Sequence, residues 1–117
     1  MRDDRDRLQD ILDAVAAIRS RCGGDRTPFD GDELLRVWCL HHLQVIGEAA
    51  AGLSESLRRR HSDVPWREIV GMRNVIVHGY FQVDWDEVWA AVDRDVDPLA
   101  ESVRRILGQD GDVPDRA

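Results

Sequence analysis

Lysine is absent from the 117 residues, and all sixteen basic positions are arginine. Arginine is always charged and forks onto phosphate or carboxylate, so the bias leaves a chain well supplied for bidentate anion contacts. Cysteine is nearly absent too. Cys22 and Cys39 lie in no CxxC pair, which excludes a disulfide scaffold and a structural zinc site and leaves two buried thiols as the expectation. No run of about 18 apolar residues exists, so no membrane span is expected. The start, MRDDRDRLQD, is charged from its second residue and has no apolar stretch before a cleavage site. A signal peptide is not expected, and the reading is a cytoplasmic protein. Alternating apolar runs and Asn-Gly turns are missing, which argues against strands. A Gly-rich phosphate loop, a Gly-x-Ser-x-Gly elbow and a Glu-x-x-His pair are missing as well, which removes three common kinds of catalytic centre.

What is present is helical. Leu8, Ile11, Leu12, Val15 and Ile18 recur every three or four residues, predicting a first helix that ends by Gly23-Gly24. The stretch DRTPFDGD, with Pro28 and Gly31, reads as a loop. A second helix is expected from about Asp32 to Leu53, with a broad apolar stripe suited to the middle of a bundle. Ser54 is a candidate N-cap for the short segment SESLRRRH, and Pro65 can open the next helix, WREIVGMRNVIVHGY. Ile69, Met72 and Ile76 are its inward residues. A last helix from Asp84 to Leu107 contains Pro98, which should kink or restart it. The fold class is therefore all-α, an up-and-down bundle of four to five helices occupying residues 1–108, followed by a flexible tail over 109–117. Trp38, Trp66, Trp85 and Trp89 are expected mostly to fill the core.

The net charge of −7 excludes a protein that coats nucleic acid through one broad basic face. The charge is uneven, though: residues 54–82 balance to +2 and residues 83–101 to −6. The acidic strip reads as a solvated helix face, and the basic stretch as the surround of a small anionic site. Arg58, Arg59 and Arg60 either track an RNA backbone or complement the C-terminal dipole of their own short helix. His41 and His42 are adjacent, so at most one can face the core, and His61 reads as an exposed cap.

The chemistry concentrates in MRNVIVHGYF. At ~100° per residue, Asn74 and His78 lie one turn apart on one helix face, and Arg73 and Tyr80 two turns apart on another. An imidazole moves protons near neutral pH, and a guanidinium holds a phosphate and stabilises charge building on it. Asn74 can fix the imidazole tautomer or hold a phosphate oxygen. That set suits RNA cleavage without a metal, because RNA supplies its own 2′-hydroxyl as nucleophile. One histidine is short of an acid–base pair, and Arg73 and His78 lie ~140° apart around the helix. Two copies pairing these helices about a two-fold axis would cure both shortfalls. On the plainer account Arg73 pairs with Glu48 or Glu68, and His78 caps a helix end.

The stretch 65–81, PWREIVGMRNVIVHGYF, with LQVIGEAAAGLSESLRRRH before it and VDWDEVW after it, resembles the HepT toxins of the HEPN superfamily. The family signature of Arg, four residues, His, one residue, Tyr is met by Arg73, His78 and Tyr80. The resemblance runs from about Arg7 to Leu107. It implies a HEPN-like, homodimeric, metal-independent ribonuclease whose composite active site forms between two copies and needs no cofactor. Arg73 and His78 would be catalytic, with Asn74 and, as a holder of Arg73, Glu48 in support. It implies a partner as well, a small nucleotidyltransferase antitoxin of the MntA type that transfers AMP onto Tyr80. A non-catalytic nucleotide-binding module acting beside a nucleotidyltransferase is the alternative, and saturable nucleotide binding without RNA turnover would mark it.

Overall fold

The computed structural model describes residues 2–79 and 83–112, with side chains over 2–74 and 83–109. Its order is α1 (Asp4–Arg21), α2 (Thr27–Gly31), α3 (Glu33–Ala51), α4 (Glu55–Arg60), α5 (Trp66–Gly79), α6 (Trp85–Ala90), a π turn (Ala91–Asp95) and α7 (Val96–Asp112). No strand occurs among the described residues. The all-α expectation holds.

Local chemistry sets each helix start. Asp3 and Asp6 close a reciprocal capping box on α1. Asp32 caps α3 by accepting from the Leu34 and Leu35 amides at 2.9 and 3.3 Å. Asp84 does the same for α6. Ser54 caps α4, its hydroxyl accepting from the Leu57 amide at 3.1 Å while donating to Asp4 at 2.6 Å. The Asp4 carboxylate also takes the Ser54 amide, so one residue pins the start of α4 to the start of α1. Ser54→Ala removes the two hydroxyl bonds while leaving the amide bond to Asp4, and is expected to lower stability by about 1 kcal/mol, read from denaturant midpoints.

α3 is the central helix, packed between α1 and α5, and α1 also packs on α7. Three cross-links set the up-and-down sense. Trp38, early in α3, donates its indole N–H to the Ala17 carbonyl late in α1, at 2.8 Å. Arg19, late in α1, forks onto Asp97 at the start of α7, at 3.0 and 3.1 Å. Arg105, late in α7, reaches Asp63 just before α5, at 2.9 Å. The core between these helices is apolar throughout. Among the described residues no buried side chain is polar or charged, so chemistry has to be done at the surface.

Two expectations need correction. The stretch around Pro28 is no loop: it forms α2, with the proline in the first turn, where its missing N–H costs nothing. The helix exists to deliver Phe29, fully buried against Trp85 and Trp89 with ring centroids 6.3 and 5.2 Å away. Consistent with the expectation that at most one could, neither His41 nor His42 enters the core; His42 is half-buried, its ring nitrogen 2.9 Å from the Trp38 carbonyl. The disturbance expected at Pro98 appears one turn earlier, as the π turn. Pro98 has no N–H to give the Arg94 carbonyl, and the wider turn shifts the helix register ahead of it. Arg19 donates to the Val92 carbonyl inside that turn at 2.6 Å. All seven acidic residues from Asp84 to Glu101 are exposed, as a solvated face requires. Trp66 and Trp89 are buried, while Trp38 and Trp85 are partly buried against the core.

Candidate active site

Helix α5 carries the site and α3 positions it. The apolar residues Ile69 and Met72 of α5 are buried, while Arg73 beside them is half-buried and Asn74 is exposed. The amphipathic spacing thus turns a polar edge outward just where the arginine and asparagine sit. α5 is helical through Gly79, so positions 73 and 78 stand ~140° apart around one continuous helix and ~7.5 Å apart along it. The His78 side chain and Tyr80 lie outside the described residues.

Arg73 Nη1 lies 3.4 Å from Glu48 Oε1 on α3. The pair is open to solvent, with 37% of the arginine side chain and 60% of the glutamate exposed. A bridge so exposed adds little to stability, so its consequence is where the guanidinium points. The anchor beneath it is Gly47. A Cβ on Gly47 would lie 2.7 Å from the Arg73 amide nitrogen and 3.0 Å from the Arg73 Cβ. Only glycine lets α5 come this close to α3, and the contact falls on Arg73 itself. Sequence reading passed over Gly47. Its one signal was a glycine inside the apolar stripe of a long helix, where it costs about 1 kcal/mol against alanine unless packing needs it.

The other expected contributors sit elsewhere. Arg58, Arg59 and Arg60 form the last turn of α4, and Arg59 pairs with Glu55 at 2.8 Å, one turn back. His61 is the C-cap residue of that helix, half-buried, and its carbonyl accepts the Trp66 indole N–H at 3.0 Å. The cysteines are removed from any chemistry. Both are buried, and burial first, then the neighbouring Cys22 thiol, pushes the Cys39 thiol up to about 12. A thiol held in that state is neither a nucleophile nor a metal ligand at neutral pH. Among the described residues no three His, Cys, Asp or Glu side chains gather where they could hold a metal ion. No described helix is long and apolar enough to cross a membrane.

Comparison with known proteins identifies the family. The family described as HepT-like, "Ribonuclease HepT-like", matches residues 11–106. A protein of Caldanaerobacter subterraneus subsp. tengcongensis, provisionally named as an RNase, is 33% identical over 108 residues, covering 92% of this chain and 96% of its own. A similarly named protein of Methanocaldococcus jannaschii is 32% identical, covering 82% and 89%. The "Probable ribonuclease HepT" of Thermococcus cleftensis is 33% identical, covering 84% and 90%. No solved structure matches the chain. With the family profile spanning most of its helices and relatives matched almost end to end, the chain belongs to the HepT-like ribonuclease family.

Proposed function

We propose that this ribonuclease-family protein is the toxin of a two-component system, acting in the cytoplasm as a homodimer that cuts RNA without a metal. Arg73 carries the reading: a guanidinium held at a fixed place on α5 by Gly47 and Glu48, five positions before His78 on the same helix. Residues 1–108 are the working domain and 109–117 its tail.

Two copies pair their α5 helices, so that the cleft between them holds two arginines and two histidines. The RNA 2′-hydroxyl attacks the adjacent phosphorus. His78 of one copy takes the hydroxyl proton, and His78 of the partner subunit protonates the departing 5′-oxygen. The P–O5′ bond breaks, leaving a 2′,3′-cyclic phosphate and a 5′-hydroxyl. Arg73 stabilises the charge on the phosphoryl oxygens as it grows. Asn74 orients the imidazole or a phosphate oxygen, and Glu48 holds Arg73 until substrate takes its place. Arg58, Arg59 and Arg60 lead the RNA backbone toward the cleft.

Control falls on Tyr80. A nucleotidyltransferase antitoxin of the MntA type transfers AMP to the phenol oxygen, adding negative charge and bulk where the scissile phosphate must sit. The test is incubation with total cellular RNA in excess EDTA. The expected result is undiminished cleavage and fragments ending in 2′,3′-cyclic phosphate. Cleavage abolished by EDTA and restored by a divalent ion would overturn the metal-free step. Tyr80→Phe is expected to cut RNA at the normal rate yet gain no AMP mass when incubated with the antitoxin and ATP. A labelled Tyr80→Phe protein would place the modification elsewhere.

A further inference from the structure

Beside the Glu48–Arg73 pair, a groove of about 340 Å³ opens between the first turns of α1 and the outer face of α3. That is room for a nucleotide-sized group. Its charged lining is mostly spoken for: Arg2 pairs with Asp10, and Glu48 with Arg73. Arg7 is different. It is half-buried and forms no ion pair with a carboxylate among the described residues. Its guanidinium lies flat over Gly52, the C-cap of α3, so closely that a Cβ there would stand 2.1 Å from Nη1. Gly52 is one helical turn past Glu48, about 6 Å along α3. Two guanidiniums therefore flank Glu48, Arg73 from α5 and Arg7 from α1. On the other side of Glu48, Gln44 and then His41, exposed, carry the groove back along α3, offering an amide and a ring nitrogen.

We infer that this groove is a second RNA subsite, in which Arg7 holds the phosphate on one side of the scissile one and Gln44 and His41 meet the nucleotide on the other side. The inference rests on the proposed function and extends it from the reacting phosphate to its neighbour. The chemistry favours a phosphodiester over a protein carboxylate. An arginine fork already in place and without a carboxylate partner among the described residues accepts an anion at little ordering cost, and the amide and imidazole farther along the groove suit sugar and base edges.

The experiment uses the His78→Ala protein, so that RNA survives, with a 5′-fluorescein octaribonucleotide followed by anisotropy from 50 to 200 mM salt. Adding Arg7→Gln is expected to weaken binding about tenfold and to lower the salt slope by about 0.7, the share of one phosphate on a single strand. Gly52→Ala keeps the arginine but pushes its guanidinium aside, and its helical backbone angles accept alanine. It is expected to lose affinity in the same direction, with the salt slope changed less. Arg7→Lys should recover the salt slope but not the full affinity. Octamer affinity and salt slope unchanged in both Arg7→Gln and Gly52→Ala would overturn the inference, as would a failure of the parent protein to bind the octamer. Absence of RNA cleavage by the His78-bearing protein bears on the proposed function alone, since binding is scored separately.

Discussion

His78→Ala is expected to reduce RNA cleavage by 10²- to 10⁴-fold while leaving helix content and melting temperature unchanged. The size follows from what an acid–base group contributes: a positioned imidazole is typically worth ~10²–10⁴ in rate. The upper end applies if each copy of the dimer gives one imidazole and both are lost together. The fold should not notice. Position 78 is next to last in α5, and the packing that fixes this helix comes from Ile69 and Met72 and from the approach at Gly47. Cleavage of total RNA by the wild type and the variant, with circular dichroism on both, decides it. A variant that cuts as fast as the wild type would remove His78 from the mechanism. A pH profile adds a second readout, because loss of an imidazole that cycles its proton should flatten the dependence of the remaining rate near neutrality.

Gly47→Ala should cost stability and activity together. The new methyl carbon would sit 2.7 Å from a backbone nitrogen, which no rotamer change can relieve. α5 must move away from α3, and overpacking of this sort typically costs about 1–3 kcal/mol. The same movement displaces Arg73. Misplacing a catalytic group by about 1 Å can cost ~10²-fold in rate, so kcat should fall far more than the melting temperature alone explains. Gly71 is the matched control. It lies on α5 two residues before Arg73, and a Cβ there meets nothing within 4 Å. Gly71→Ala should stabilise by about 0.5–1 kcal/mol, the helix-propensity gain, and leave cleavage intact. Equal behaviour of the two variants would show that the α3–α5 approach does not set the position of Arg73.

Both predictions turn on one division of labour. α5 presents the residues and α3 determines where they stand. The surface pair Glu48–Arg73 is too exposed to hold the helices together, but it narrows the directions the guanidinium can take before substrate arrives. On the proposed reading, an incoming phosphate would compete with one carboxylate in water, which is a modest obstacle, and would inherit an arginine already aimed.

Much of this was legible in the sequence. The three- and four-residue spacing of Leu8, Ile11, Val15 and Ile18 placed α1, because an amphipathic helix has one way to bury such a stripe. The Ser54 cap and the Pro65 start were read from local chemistry, which acts within a turn and needs no tertiary context. The run from Arg73 to Tyr80 suggested the chemistry now proposed for it, and the same run pointed to the family that the comparisons then showed.

What the sequence could not determine depended on contacts between distant segments. Pro28 and Gly31 read locally as loop residues, yet Phe29 gains enough by burial against Trp85 and Trp89 to hold a short helix there. Pro98 announced a disturbance, but its form as a π turn over Ala91–Asp95, tied down by Arg19 from α1, belongs to the packed bundle. Gly47 carried only the faint signal of a glycine inside an apolar stripe and Arg7 none, because a glycine's use is the neighbour that it admits and Arg7's is the absence of a carboxylate partner among the described residues. The sequence by itself determined most of the helices and named the residues proposed to carry the chemistry, since periodicity, caps and side-chain type are local properties. Only the tertiary structure decided that α5 meets α3 where Gly47 faces Arg73 and that Arg7 shares a groove with Glu48, since those are facts about residues 26 and 41 positions apart in the chain.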